Sequence, residues 1–133
     1  MRKSDQQFLF LKDLSKLFQY TLINYSALKM TLSWGERDSE TQLRLMKAGV
    51  SKVKNPKDSM HLHRLAVDII FYWNNEYLDP DNRKKWPKEA SHVLNLIGRK
   101  WETLHKENRW GGFFKSLFDP NHFERYIEKY KNE

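Results

Sequence analysis

The apolar run at residues 65–73 constrains the fold of this chain more than any other feature. It is rich in β-branched and aromatic side chains, and a single charge, Asp68, interrupts it. This composition predicts a buried β-strand. Because side chains alternate between faces, Asp68 would lie between Ala66 and Ile70 on the face opposite the odd-numbered positions. A carboxylate buried there needs a partner. The alternative is an aspartate at the wet end of an edge strand.

Helical and strand-like patterns precede this run. Residues 5–23 carry apolar side chains at steps of three and four behind a possible capping box at Ser4 and Gln7, which predicts a helix. Its expected buried face is formed by Phe8, Leu11, Leu14, Phe18 and Leu22. Residues 28–34 alternate between apolar and polar side chains and predict a half-buried strand, and residues 39–49 predict a short helix.

A second long helix is expected after the run, beyond a loop at residues 74–86. Pro87 marks its start. Its buried stripe would be Val93, Leu94, Ile97, Trp101 and Leu104. Strands separated by helices, with little chain left for a parallel sheet, predict one small α+β domain over residues 1–133.

The amino-acid composition limits the kinds of functional site and partner that the chain can have. The chain has no cysteine, which excludes disulfides, thiol catalysis and Cys-ligated metals, so a metal site would have to use carboxylates and the five histidines. Lys and Arg number 24 against 17 Asp and Glu, a net charge of 24 − 17 = +7. This excess predicts an anionic partner: nucleic acid, a membrane surface or a cell-envelope polymer.

No segment has the roughly 20 consecutive apolar residues of a membrane span. The apolar run at residues 8–11 follows basic residues as in a signal peptide, but Lys12 and Asp13 end it and no small-residue cleavage site follows. We therefore expect no stable membrane insertion, and localisation in the cytoplasm of the producing cell.

Four side chains could together carry catalysis. His61 and Asp68 are seven residues apart, so on one continuous strand they would face opposite sides, and a turn between them is needed if they converge. The turn-forming segment Asp119-Pro120-Asn121-His122 supplies another carboxylate and imidazole. Two histidines and one aspartate could hold a catalytic Zn²⁺ with a position open for water, leaving Asp119 as general base. Taken singly, each group could equally be a solvated loop residue.

Three segments of the chain resemble the signatures of a known family. Ser59-Met60-His61-Leu62-His63-Arg64-Leu65-Ala66-Val67-Asp68 resembles the Ser-x-His-x-x-Gly-x-Ala-x-Asp signature of D-Ala-D-Ala carboxypeptidase/VanY-type zinc peptidases, peptidase family M15. The phage endolysin branch of this family ends in the pattern Trp-Gly-Gly … Phe-x-Asp-x-x-His-Phe-Glu. This pattern resembles Trp110-Gly111-Gly112 followed by Phe118-Asp119-Pro120-Asn121-His122-Phe123-Glu124. Arg37, Glu40 and Gln42 resemble its upstream Arg-Ser-x-x-Glu-Gln region, with one extra residue after Arg37.

The resemblance implies roles for individual residues. It implies Zn²⁺ bound by His61, Asp68 and His122, with Asp119 as catalytic base. It also implies that Arg37 binds a substrate carboxylate or the carbonyl oxygen that becomes negative, that Ser59 lines the site and that Trp110 forms part of its wall. The implied fold is a small antiparallel sheet with helices around it, similar to Hedgehog and D,D-peptidase domains. One departure is Arg64, which replaces the signature glycine and would be strained if that position needs a positive φ.

The resemblance further implies a function. The substrate would be the stem peptide of bacterial peptidoglycan, cut by a monomeric phage endolysin at the L-Ala–D-Glu bond after holin-type release, without a separate wall-binding domain. The closest rival is a bacterial D,D-carboxypeptidase or dipeptidase of wall remodelling. A basic nucleic-acid-binding module is the rival from another class, suggested by the net charge and the cluster Arg83-Lys84-Lys85-Trp86. It gives no reason for the spacing of His61, Asp68 and His122, so we expect no nucleic acid partner.

Overall fold

The computed structural model describes residues 1–33 and 60–130, and two long helices and five strands lie within them. The helices are α1 (Lys3–Asn24) and α2 (Lys88–Leu104), and the strands are β1 (Leu28–Leu32), β2 (Ala66–Trp73), β3 (Glu76–Tyr77), β4 (Asn108–Trp110) and β5 (His122–Arg125). The predicted helix at residues 39–49, and the end of the predicted strand at Trp34, lie outside the described residues. Neither of the helices described is long and apolar enough to cross a membrane.

The strands form one antiparallel sheet in the order β1-β2-β5-β4, and β3 pairs with the end of β2. The predicted α+β class is therefore confirmed. The segment predicted as a loop after β2 begins with a tight hairpin instead, because Asn74 and Asn75 adopt positive φ angles of 48° and 68° that return the chain as β3. Asparagine tolerates this left-handed backbone better than most residues.

Strand β2 and helix α2 both contribute to the core, as predicted. Val67, Ile69 and Phe71 are all at most 3% exposed on one face of β2. On α2, Val93, Leu94, Ile97 and Trp101 are buried. The indole N–H of Trp101 donates to the backbone carbonyls of Arg109 and Glu124, so α2 is fixed to both β4 and β5.

Helix α1 buries a different face from the one predicted. Phe10, Leu14 and Leu17 face the core with the polar residues Asp13 and Thr21. Of the expected face, Phe8, Leu11 and Leu22 are 64–69% exposed and only Leu14 is buried. The physical reason is that Asp13 finds partners inside the protein: Nδ2 of Asn108 donates to its carboxylate, and Arg125 lies 3.5 Å away.

The start of α1 also differs from the prediction. The cap is formed by Arg2 and Asp5, because the Asp5 carboxylate accepts from the backbone N–H and the guanidinium of Arg2. Gln7, which was expected in the capping box, donates instead to the backbone carbonyl of His63. Helix α1 is thereby attached to the turn that carries His61.

We expect Asp13→Ala to destabilise the protein by about 3 kcal/mol, because removal of one partner leaves the buried Arg125 charge uncompensated. Urea unfolding followed by circular dichroism measures the loss. The matched control is Asp5→Ala, which removes the exposed Arg2–Asp5 pair and should cost far less. Equal losses in the two variants would contradict the role given to Asp13.

Arg64 adopts a φ of 56°, the left-handed conformation that its place in the signature suggested. We expect Arg64→Gly to stabilise the fold by about 1 kcal/mol, because a Cβ is strained in this region. Arg64→Ala keeps the Cβ while removing the guanidinium, so it should give no gain. Thermal unfolding of both variants tests this, and equal melting temperatures for the glycine and alanine variants would show that the backbone is not strained here.

Candidate metal centre

His61, Asp68 and His122 come together from three separate segments. His61 lies on the one-turn 3-10 helix Met60–His63, Asp68 on β2 and His122 at the start of β5. Asp68 and His122 are directly opposite each other in the β2–β5 register. One donor atom from each side chain lies within 4.8 Å of the other two.

A turn between His61 and Asp68 makes this possible, as the sequence spacing required. The 3-10 helix ends at His63, and the left-handed backbone of the next residue, Arg64, redirects the chain into β2. The backbone N–H of Leu65 then donates to the carbonyl of Met60 over 3.0 Å, which closes the turn. His61 is consequently held on the same side as Asp68, with only 2% of its side chain exposed.

The geometry of the three side chains fits a divalent metal. His61 Nε2 and His122 Nδ1 each lie 3.5 Å from Asp68 Oδ1. Donor atoms bound at about 2.0–2.1 Å to a tetrahedral Zn²⁺ would be about 3.4 Å apart. Two imidazoles and one carboxylate are also a donor set that zinc accepts, with a fourth position left for water. The structure thus brings the predicted ligands together, and their binding of an ion stays a prediction.

Asp68 and His122 shift each other's pKa. Burial disfavours ionised Asp68, but hydrogen bonds from His122 and His61 outweigh it and hold the pKa of Asp68 well below its usual range. Burial also opposes protonation of His122, yet the Asp68 and Glu124 carboxylates raise the pKa of His122 to about 10. A metal ion would have to displace this proton, so affinity for it should fall as the pH falls.

Glu124 lies on the far side of His122. Its Oε1 is 2.5 Å from His122 Nε2, and its Oε2 accepts two hydrogen bonds from Arg109. Burial raises the pKa of Glu124, but His122 and Arg109 together outweigh this and lower it. A glutamate next to a candidate ligand can orient a histidine or pair with a cation. The structure shows that it does both, and that the cation is an arginine.

Asp119 ends the loop that leads into β5. Its backbone N–H donates to the carbonyl of Gly111, and its own carbonyl accepts from the N–H of His122. Any Cβ at Gly111 would collide with the Asp119 carbonyl, so this close approach requires glycine. The half-buried Asp119 carboxylate also contributes to the raised pKa of His122. Its charge therefore acts on His122, and its role as general base stays a prediction.

Trp110 does not lie where the resemblance placed it. Its side chain is 1% exposed and packs against Phe113 and Phe123 rather than lining an open wall. The indole N–H donates to the carbonyl of Pro120 over 2.8 Å. The ring fills space that exists because Gly98 and Gly112 have no side chains, since a Cβ at either glycine would overlap it. Trp110 thus supports the Asp119 turn from behind.

Two predicted site residues and the three histidines outside the cluster remain to be placed. Arg37 and Ser59 lie outside the described residues, so their roles stay predictions. His63 is buried rather than solvated: its Nδ1 lies 3.0 Å from Lys3 Nζ, and its ring stacks beside Tyr130. His92 is exposed on α2 as expected, and His105, just beyond the helix, accepts from the N–H of Glu107.

Comparison with known proteins decides the family. Residues 53–125 match the profile of a peptidase family described as D-alanyl-D-alanine carboxypeptidase. The chain belongs to this family, peptidase family M15. The matched residues contain His61, Asp68, Asp119 and His122. Among proteins of curated function, none matches the chain significantly.

A solved structure shares the fold of this M15 peptidase. It is that of the Serratia marcescens L-Ala D-Glu endopeptidase ChiX, with a TM-score of 0.63 and 20% sequence identity. The alignment covers 98% of this chain and 91% of that chain. The likeness supports the predicted arrangement of a small antiparallel sheet with helices around it.

Proposed function

We propose that this chain is a zinc-dependent peptidase that cleaves the stem peptide of bacterial peptidoglycan between L-Ala and D-Glu, and that it serves as a phage endolysin. The observation that carries the proposal is the convergence of His61, Asp68 and His122, the last of which is joined to Asp119 by a backbone hydrogen bond. Family membership supports the peptidase activity. The fold shared with an L-Ala D-Glu endopeptidase supports the choice of bond.

In this mechanism His61, Asp68 and His122 hold the zinc ion, which when bound supplies Lewis acidity toward a water molecule and the scissile carbonyl. Asp119 accepts the proton of the attacking water and later delivers it to the leaving amine. Glu124 keeps Nε2 of His122 occupied, so that Nδ1 faces the site. Arg37 is proposed to neutralise a substrate carboxylate or the oxygen that becomes negative.

The net charge of +7 has a role in this proposal. It attracts the enzyme toward the anionic bacterial envelope, and salt should weaken that attraction. The protein would act as a monomer, without nucleic acid, and would reach the wall from the cytoplasm of the host cell through holin-type release. A nucleic-acid-binding module, in contrast, would bind DNA in a salt-sensitive way that survives a chelator.

A second candidate is a D,D-carboxypeptidase, which the description of the matched family names directly. Both enzymes would use the same centre, and they differ in the product that they release. Cleavage between L-Ala and D-Glu leaves a peptide with D-Glu at its N-terminus. A D,D-carboxypeptidase instead releases free D-Ala and shortens the peptide at its C-terminus.

Mass spectrometry of fragments from purified peptidoglycan tests the proposal. We expect peptides that begin with D-Glu, and their loss when a zinc chelator is present. Addition of zinc should restore the digestion. Free D-Ala with otherwise intact stem peptides would favour the second candidate. Uncleaved stem peptides in the presence of zinc would refute both.

A further inference from the structure

The side of His122 that faces away from Asp68 is held by an ordered row of side chains. His122, Glu124 and Tyr126 alternate along β5 and its continuation, so they share one face. Glu124 is buried, with 7% of its side chain exposed. Its Oε1 contacts His122 Nε2, and this contact leaves Nδ1 facing Asp68 Oδ1.

Arg109 completes this row from the neighbouring strand. It lies directly opposite Glu124 in the β4–β5 register, and its Nε and Nη2 donate to Glu124 Oε2 over 2.9 Å and 2.7 Å. Its guanidinium lies 4.0 Å from the ring centroid of Tyr126 and 5.5 Å from that of Phe114. The centroid of the Phe114 ring is also 5.8 Å from that of the His122 ring, so Phe114 lies beside both Arg109 and His122.

This arrangement fixes which nitrogen of His122 is available to an ion. One oxygen of Glu124 is used by Arg109 and the other by His122, so the carboxylate cannot turn without breaking hydrogen bonds at both ends. A fixed carboxylate fixes the imidazole plane and its tautomer. Such partners behind a ligating histidine are worth about 10–100-fold in metal affinity.

We propose that Arg109 and Glu124 are positioning residues for the metal centre, Glu124 acting through Nε2 of His122 and Arg109 acting through Glu124. The inference rests on the proposed function only in that it requires an ion at His61, Asp68 and His122. Neither positioning residue needs to touch the ion or the substrate. Arg109 thus influences the centre from the adjacent edge strand of the described sheet.

An ordinary structural ion pair would behave differently. Arg109 is about half exposed, with 48% of its side chain accessible, and the buried Glu124 keeps its contact with His122 when Arg109 is removed. We therefore expect loss of Arg109 to weaken metal binding more than it lowers the melting temperature of the metal-free protein. A purely structural residue would show the opposite balance.

The experiment measures zinc affinity by competition with a chromophoric chelator at one fixed pH, for the full chain and three variants. We expect Glu124→Gln to lose about 10–100-fold in affinity, and Arg109→Ala and Arg109→Met to lose about tenfold. Methionine keeps an apolar stem against Tyr126 without the hydrogen bonds. In cobalt-substituted samples, the d–d absorption bands of these variants should differ from those of the wild type.

A matched control is Arg2→Ala, which removes an arginine from an exposed carboxylate pair at the start of α1. It should bind zinc as the wild type does. Wild-type affinity in Arg109→Met and Glu124→Gln would overturn the inference while leaving the metal centre intact. A fall in the metal-free melting temperature large enough to account for the lost affinity would also overturn it. A wild-type protein that binds no zinc would overturn both this inference and the proposed function.

Discussion

Replacement of His61 by alanine is expected to abolish stoichiometric zinc binding and, with it, peptidase activity. His61 contributes one of three converging donors and is almost fully buried, so its removal leaves two donors of the cluster. Without the ion, the pKa of the attacking water rises from about 7 to far above the neutral range. Metal content of the dialysed protein and release of D-Glu-terminated peptides measure the two losses.

His63→Ala is the matched control for this experiment. His63 lies two residues away on the same 3-10 turn and is similarly buried, and its ring contacts Lys3 and Tyr130. This variant should retain zinc, even if the turn is less stable. Stoichiometric zinc in His61→Ala would remove His61 from the ligand set.

Asp119→Asn is expected to keep zinc and lose about 10²–10⁴-fold in turnover. Asparagine has nearly the same size and preserves the backbone hydrogen bonds to Gly111 and His122, but its amide cannot accept the proton of water. Zinc content and kcat, measured on the same preparation, separate catalysis from binding. Asp119→Asn should thus lose turnover while it keeps zinc, whereas His61→Ala should lose zinc and, because of that, turnover.

Asp119→Glu serves as the conservative counterpart, because the resemblance implies that glutamate serves as base in other branches of the family. It should recover part of the activity that Asp119→Asn loses. Turnover in Asp119→Asn equal to that of the wild type would show that another group is the base. Loss of zinc from Asp119→Asn would instead indicate that Asp119 is needed to assemble the centre.

The sequence predicted the strand at residues 65–73 from a local signal, an apolar run interrupted only at Asp68. The convergence of the four candidate residues was implied by the family resemblance, and it required a turn between His61 and Asp68, which Arg64 supplies. The choice of nitrogen on His122 could not be predicted. It depends on the pairing of Arg109 with Glu124, which only the strand register establishes.

The buried face of α1 was predicted wrongly, and this shows a limit of hydrophobic periodicity as a signal. The spacing of apolar residues predicts that Asp13 faces solvent. Its partners Asn108 and Arg125 lie 95 and 112 residues further along the chain. Burial of a polar side chain depends on partners that no local pattern contains. Trp110 illustrates the same limit, since the space that its ring fills is created by a glycine on α2.

That glycine has a consequence for protein engineering. Replacing a helix-interior glycine by alanine is a standard way to gain stability, because alanine restricts the unfolded chain and favours the helix. At Gly98 the added methyl group would push on Trp110, whose indole holds the carbonyl of Pro120 next to Asp119. Helix α2 and the turn that carries Asp119 therefore have to be redesigned or exchanged as one unit, although they are separate in sequence.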